Sequence, residues 1–211
     1  MISINKLMTN SIVITTGPVD DGKTRVKYTT ASGLPDWEGD IVGELTNSSI
    51  PNISNAEVVE IGSHVTSIGN NAFDRCAELE TVIIPESVET IGTQGFSRTR
   101  RLTSVTIKGS GLKAIGAGAF VAATELTSIS LPNSVVSIGR SAFEDCVLLT
   151  SIDIPASVQT MDREVFLGCS ELMSVTFSGK TKATVQSMEN YSSWGLPSGC
   201  VLHCTDGDIT L

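Results

Sequence analysis

One phenylalanine recurs at an almost fixed interval, and no other feature of the chain constrains its fold as strongly. Phe73, Phe96, Phe120, Phe143 and Phe166 are separated by 23, 24, 23 and 23 residues. Around them, IGNNAFDRCAEL from Ile68, IGTQGFSRTRRL from Ile91, IGAGAFVAATEL from Ile115, IGRSAFEDCVLL from Ile138 and MDREVFLGCSEL from Met161 align without gaps. A Leu stands six positions after each Phe: Leu79, Leu102, Leu126, Leu149 and Leu172. An alternating apolar pair follows, and alternation of this kind marks a short strand with one buried face. The pairs are Val82 and Ile84, Val105 and Ile107, Ile129 and Leu131, Ile152 and Ile154, and Val175 and Phe177. Pro85, Pro132 and Pro155 end three of these strands, and a second apolar pair, Val88 and Ile91 or Val135 and Ile138, closes the turn. The Ala72–Phe73 segment reads as one short helical turn with Ala72, Phe73 and Cys76 inward. The single extra residue lies in KGSGL, where other units have IPxSV.

A unit this short cannot bury its own apolar face. Stacked units bury Phe on Phe, Leu on Leu and Ile on Ile as continuous columns. The expected fold is therefore an α/β repeat solenoid with a short strand and a short helical turn in each 23-residue unit. It spans 56–177, with five Phe-bearing turns and a sixth strand, SVTF. Solenoid ends expose apolar surface and need lids. Residues 1–55 break the period and read as a β-rich N-terminal cap, with SIVITT and TRVKYTT as strands about a Gly- and Asp-rich loop. Residues 178–211 read as a C-terminal cap ending in a strand, Asp-Gly turn and strand. The two tryptophans, Trp37 and Trp194, fall in these segments. They read as plugs for the ends or as a binding anchor.

The unit IGxxAFxxCxxLxxVxIPxSVxx resembles the BspA-like leucine-rich repeat, also called the Treponema pallidum-type repeat. The resemblance covers about Val58 to Phe177, and the period lies within the leucine-rich range. Thr99 and Ala123 replace the Cys, and Met161-Asp162 replaces Ile-Gly. The resemblance implies a surface-exposed or secreted protein of bacteria or protists that adheres to a protein or glycan on a cell surface or matrix. It implies no catalytic site. The competing expectation is a component of a phage virion or another assembly. The N-terminus shows no basic start followed by an apolar core, and VKYTTASGLPDWEGDI and HCTDGDITL are similar to stretches in BspA-like proteins of gut bacteria and their phages.

Charge removes other classes. With 23 Asp and Glu against 14 Lys and Arg, the net charge is −9, which repels a nucleic-acid backbone. No apolar run reaches the roughly 20 residues needed to cross a bilayer as a helix. GPVDDGKT, residues 17–24, satisfies the spelling of a phosphate-binding loop. Its context is wrong, because RVKYTT alternates like a strand where a helix should begin. Pro18 also lacks an N–H, and Asp20 and Asp21 would oppose phosphate. A hairpin loop is the better reading, and nucleotide-dependent catalysis is a distant third function.

Other reactive side chains support no catalytic site. Cys76, Cys146 and Cys169 share one repeat position with Thr99 and Ala123, as a buried packing slot would allow. A bridge between Cys146 and Cys169 on adjacent turns is conceivable but not required. Cys200, His203 and Cys204 lack a fourth zinc ligand, and in a strand His203 points away from the cysteines. Asp206 and Asp208 are too few for calcium. No metal or cofactor is expected. Asn47, Asn52 and Asn190 fit the glycosylation pattern of a eukaryotic secretory route.

The candidate binding residues lie between the inward positions of each strand. One outward column runs Thr81, Ser104, Ser128, Ser151, Ser174; the other runs Ile83, Thr106, Ser130, Asp153, Thr176. They form either a solvated sheet of good β-formers or a flat ligand-binding face. Arg98, Arg100 and Arg101, with Lys108 and Lys113 on the next turn, form a local basic edge in an acidic chain. That edge is either a solvated turn or a contact for an acidic partner.

Overall fold

A computed structural model describes residues 21–211, and parallel stacking begins early in it. β3 (Gly43–Leu45) pairs in parallel with β5 (Val65–Ile68). The ladder continues through β7 (Thr90–Ile91), β9 (Ala114–Ile115), β10 (Ser137–Ile138) and β12 (Thr160–Met161) without interruption. These short strands form the short-strand wall, and their Ile68, Ile91, Ile115, Ile138 and Met161 are all buried.

The long-strand wall is built from the alternating segments. β4 (Ala56–Glu60), β6 (Thr81–Ile84) and β8 (Ser104–Ile107) form one parallel ladder. β11 (Ser151–Ile154) and β13 (Ser174–Phe177) form a second. Val82, Ile84, Ile129, Leu131, Ile152, Ile154, Val175 and Phe177 are buried as the alternation predicts, whereas Val105 and Ile107 are only half-buried. Between the two ladders, residues 128–131 make a single bridge, Ser130 to Asp153.

A third wall carries the phenylalanines. Each Phe segment is a pair of i→i+3 turns rather than a continued helix, as in Asp74 N–H to Asn71 O and Cys76 N–H to Phe73 O. Alternate amides bond to the following unit: Asn71 to Thr93 (2.9 Å), Phe73 to Gly95 (2.8 Å) and Arg75 to Ser97 (2.8 Å). The pattern recurs from Gln94, Phe96 and Arg98 and again from Gly118, Phe120 and Ala122. It works because the residues two before and two after each Phe adopt left-handed backbone, for example Gln94 and Arg98 at φ 56°. Behind this ladder the five Phe rings stack nearly parallel, with centroids 4.8, 5.3, 5.5 and 6.1 Å apart, within the favourable range for offset aromatic pairs. Each buried ring contributes roughly 1.5–3 kcal/mol by leaving water.

The serine of IPxSV has its own reason. Ser87 Oγ donates to Val65 O and Ser134 Oγ to Leu112 O, both at 2.7 Å, tying a corner to the preceding turn. In the unit with the extra residue, Leu112 takes the buried place that Val88 and Val135 hold elsewhere. Gly111 there must be glycine, since a Cβ would overlap the Glu86 carbonyl oxygen.

The two ends differ. At the N-terminal side β1 (Thr24–Tyr28) lies antiparallel on β4, and β2 (Trp37–Gly39) lies antiparallel on β1. Val26 and Tyr28 are buried, while Trp37 is half-buried against the core edge. SIVITT, read as the first hairpin strand, lies outside the described residues. At the C-terminal side β14 (Val201–Cys204) extends the long wall in parallel, and the Asp-Gly turn returns as β15 (Gly207–Thr210). α1 (Lys182–Ser187) is the one α-helix among the described residues, and Thr181 Oγ1 caps it by accepting from Thr184 N–H. Trp194 is fully buried, 5.6 Å from the Phe177 ring and edge-on to Tyr191. Its own carbonyl accepts the Phe166 amide at 2.8 Å, and Ser193 O accepts Glu164 N–H at 2.6 Å. Side chain and backbone of one segment thus close both the core and the last rung of the Phe wall.

Candidate functional site: the outward face of the long strands

Strand register brings the candidate binding residues into two straight columns. Val58, Thr81 and Ser104 are aligned on the first ladder, as are Glu60, Ile83 and Thr106. Ser151 and Ser174, and Asp153 and Thr176, are aligned on the second, with Val201 and His203 of β14 next to them. Ser128 and Ser130 lie between the ladders, and only Ser130 is bridged to its neighbour. Every candidate on this face is exposed or half-buried. In its middle the face carries small hydroxyls, Ile83 and the one carboxylate of Asp153.

Charge is concentrated at the N-terminal end, where it is largely paired. Arg25 contacts Asp21 (2.7 Å) and Glu38 (2.9 Å), Lys27 contacts Glu57 (3.1 Å), and Lys108 reaches back two turns to Glu60 (3.5 Å). Exposed pairs like these contribute about 0–1 kcal/mol each.

The three arginines do not act alike. Arg98 meets Asp74 at 3.4 Å, and Arg101 bridges Glu78 and Glu80. These acids hold the Arg101 guanidinium more firmly protonated than usual, Glu78 first. Arg100 is exposed and makes no ion pair among the described residues. Beside Arg101, the loop after β1 and the acids of two turns border an open polar hollow of about 480 Å³, lined by Thr29, Ser32, Glu57, Glu78, Glu80 and Arg101. No sequence pattern announced this hollow, because it needs the loop to fold back over the repeat corner.

The described part of the GKT motif has structural partners. Lys23 Nζ sits 2.9 Å from Glu38, and Asp21 accepts from Lys23 N–H. Thr24 is buried, its Oγ1 accepts from Gly62 N–H at 3.1 Å, and the strand β1 follows. Residues 17–20 lie outside the described residues.

The cysteines of the Phe wall are buried. The Cys146 thiol donates to Phe120 O (3.2 Å) and the Cys169 thiol to Phe143 O (3.0 Å). Thr99 fills the same slot by donating to Phe96 O at 2.8 Å. Burial pushes Cys76 and Cys169 up to about 12 and Cys146 well above the ordinary thiol value, so these thiols stay protonated and are poor nucleophiles at neutral pH. All five cysteines are free. His203 Nδ1 pairs with Asp208 at 2.9 Å across the terminal hairpin.

A family model described as BspA type leucine rich repeat region matches residues 43–173 and 96–193, in six copies. The chain belongs to the BspA-type leucine-rich repeat family. Two solved members of similar sequence share its fold. The T. pallidum leucine rich repeat protein is 30% identical, with a TM-score of 0.56, over 57% of this chain and 58% of that one. A leucine rich cell surface protein of Faecalibacterium prausnitzii is 29% identical, with a TM-score of 0.60, over 64% of this chain and 35% of that one. The pneumococcal vaccine antigen PcpA, at 19% identity and a TM-score of 0.61, shares the fold over 69% of this chain and 35% of its own. This BspA-type chain therefore spans less than two thirds of the length of each of these relatives. No curated protein matches it. Among the described residues, no helix is long and apolar enough to cross a membrane.

Proposed function

We propose that the chain is a non-catalytic recognition module that adheres, outside the cell, to a protein or glycan through the outward face of its long strands. The observation that carries this reading is the contrast along the face. Its N-terminal end is covered by paired charges, while its middle is an extended, little-charged surface. Solenoids use such extended surfaces for binding. The lack of Trp, Tyr and Arg in the two columns favours a broad contact of many weak interactions over one deep anchor. Arg100, exposed at the turn beyond the face, adds a cation for an acidic group on the partner. A cell-surface F. prausnitzii relative supports the same location.

Fractionation of a producing culture tests the location, with mass spectrometry following this chain through cytosol, envelope, medium and nuclease-resistant particles. Enrichment in envelope or medium is the expected result. Confinement to the cytosol contradicts it, and co-sedimentation with particles replaces adhesion with a virion or assembly role for the same face.

A further inference from the structure

Among the described residues, of the three walls that join successive units, only one is interrupted. No backbone hydrogen bond connects residues 103–108 to residues 127–132, and no strand pairing spans that boundary. The amides of Ser104 and Lys108 donate back to Glu80 O and Ile84 O. By strand alternation, the amides of Val105 and Ile107 point forward. Two units earlier in the wall such a bond exists, since Ile61 N–H donates forward to Ile83 O at 2.9 Å. At Ile107 its counterpart is missing.

Packing is loosest at the same boundary. Val105 and Ile107 are half-buried, and Ile129 and Leu131 retain 6% and 8% exposure, whereas Val82, Ile84 and Ile154 are at 0%. The extra residue of the chain's one 24-residue spacing falls directly after β8, in Lys108–Leu112. The other two walls cross this boundary intact. β9 pairs with both β7 and β10. The Phe wall keeps Gln94 to Ala117, Phe96 to Ala119 and Arg98 to Val121 at 2.7–2.8 Å, with the Phe96 and Phe120 rings 5.3 Å apart.

We propose that the inserted residue makes this boundary a hinge, at which the long-strand wall opens and closes while the short-strand and Phe walls hold the two halves together. A joint bonded on two sides and free on the third bends in one direction. Opening it changes the curvature of the outward face between Thr106 and Ser130 and separates the first ladder from the second. The conformations are separated by few contacts, because the groups that would lock the closed form are the unmade backbone bonds of β8.

Amide hydrogen exchange of the whole chain reads the open wall. Val105 and Ile107 are expected to exchange about tenfold or more faster than Val82 and Ile84, while Phe96, Phe120 and Gly139 remain protected. Equal protection of the two pairs overturns the proposal. Motion is read by spin labels at Thr81→Cys and Thr176→Cys, one on each ladder, in a Cys204→Ser background. A broad distance distribution is expected, and a single narrow one overturns the hinge in favour of a static gap. Deleting Ser110 restores a 23-residue spacing, and should slow exchange at Val105 and Ile107 and narrow the distribution. A folded deletion variant in which both are unchanged contradicts the insertion as the cause. If that variant does not fold, the two measurements on the full-length chain still decide.

Discussion

The Phe wall and the long-strand wall are built from the same repeating units, yet only the first is continuous. In the Phe wall each unit contributes a ring to a stack, and each of the first four gives three amides to the next unit, so side chains and backbone enforce one register. The long-strand wall parts into two ladders after β8, beside the following corner that holds the extra residue. A repeat tolerates an insertion in one wall when the others fix the stacking.

The largest effect should come from the continuous wall. Phe120→Ala removes the central ring and is expected to cost about 4 kcal/mol, read from urea unfolding. A loss below about 1 kcal/mol would mean that the stack does not hold the units together.

The thiols of that wall give a pH-dependent measure. Burial raises Cys76 and Cys169 from an ordinary 9.0 to about 12 in the folded chain and raises Cys146 well above the ordinary value. Below pH 9 both states hold the proton and nothing is lost. As pH rises from 9 towards 12 the unfolded chain ionises first, so stability falls. At pH 10 the loss is on the order of 1 kcal/mol for each of Cys76 and Cys169. Denaturation at pH 8 and pH 10 checks the fall, and Cys76→Ala with Cys169→Ala should reduce it, since Ala123 already fills the same slot.

Truncation compares the wall on and off the break. Ile84→Ala is expected to cost about 3 kcal/mol, and Ile107→Ala about 1, because its side chain is already half out of the core. Equal costs would mean that β8 is packed as tightly as β6. The smallest change acts on the left-handed positions. Ala122 has φ 58° and Gly118 φ 59°. Ala122→Gly should stabilise by up to about 1 kcal/mol and Gly118→Ala should destabilise by a similar amount, as read from paired melting curves.

The columns of Phe, Leu and Ile were legible in the sequence because a solenoid prints its period directly. The terminal hairpin was legible from its Asp-Gly turn, and the buried slot of the cysteines from their exchange with Thr and Ala. The left-handed residues were not, since Gln94, Arg98 and Asp145 are held there by cross-unit bonds that outweigh local preference. The 24-residue spacing was visible, but its consequence was not, because a single insertion can be absorbed at a corner or transmitted to a wall. The partners of Arg98 and Arg101 were hidden for a related reason. Asp74, Glu78 and Glu80 lie one full turn away in sequence and become neighbours only by stacking.

The most direct test of the functional claim compares two walls for binding. The labelled chain would be applied to arrayed glycans and extracellular proteins, alongside two variants. Ser128→Arg with Thr176→Arg places bulk and charge on the outward face of the long strands, while Ser170→Arg places the same chemistry on an exposed site of the Phe-wall corner. Binding that falls about tenfold or more with the first variant and is unchanged by the second is the expected result. Binding unaffected by the first, or abolished only by the second, would contradict recognition through the long-strand face.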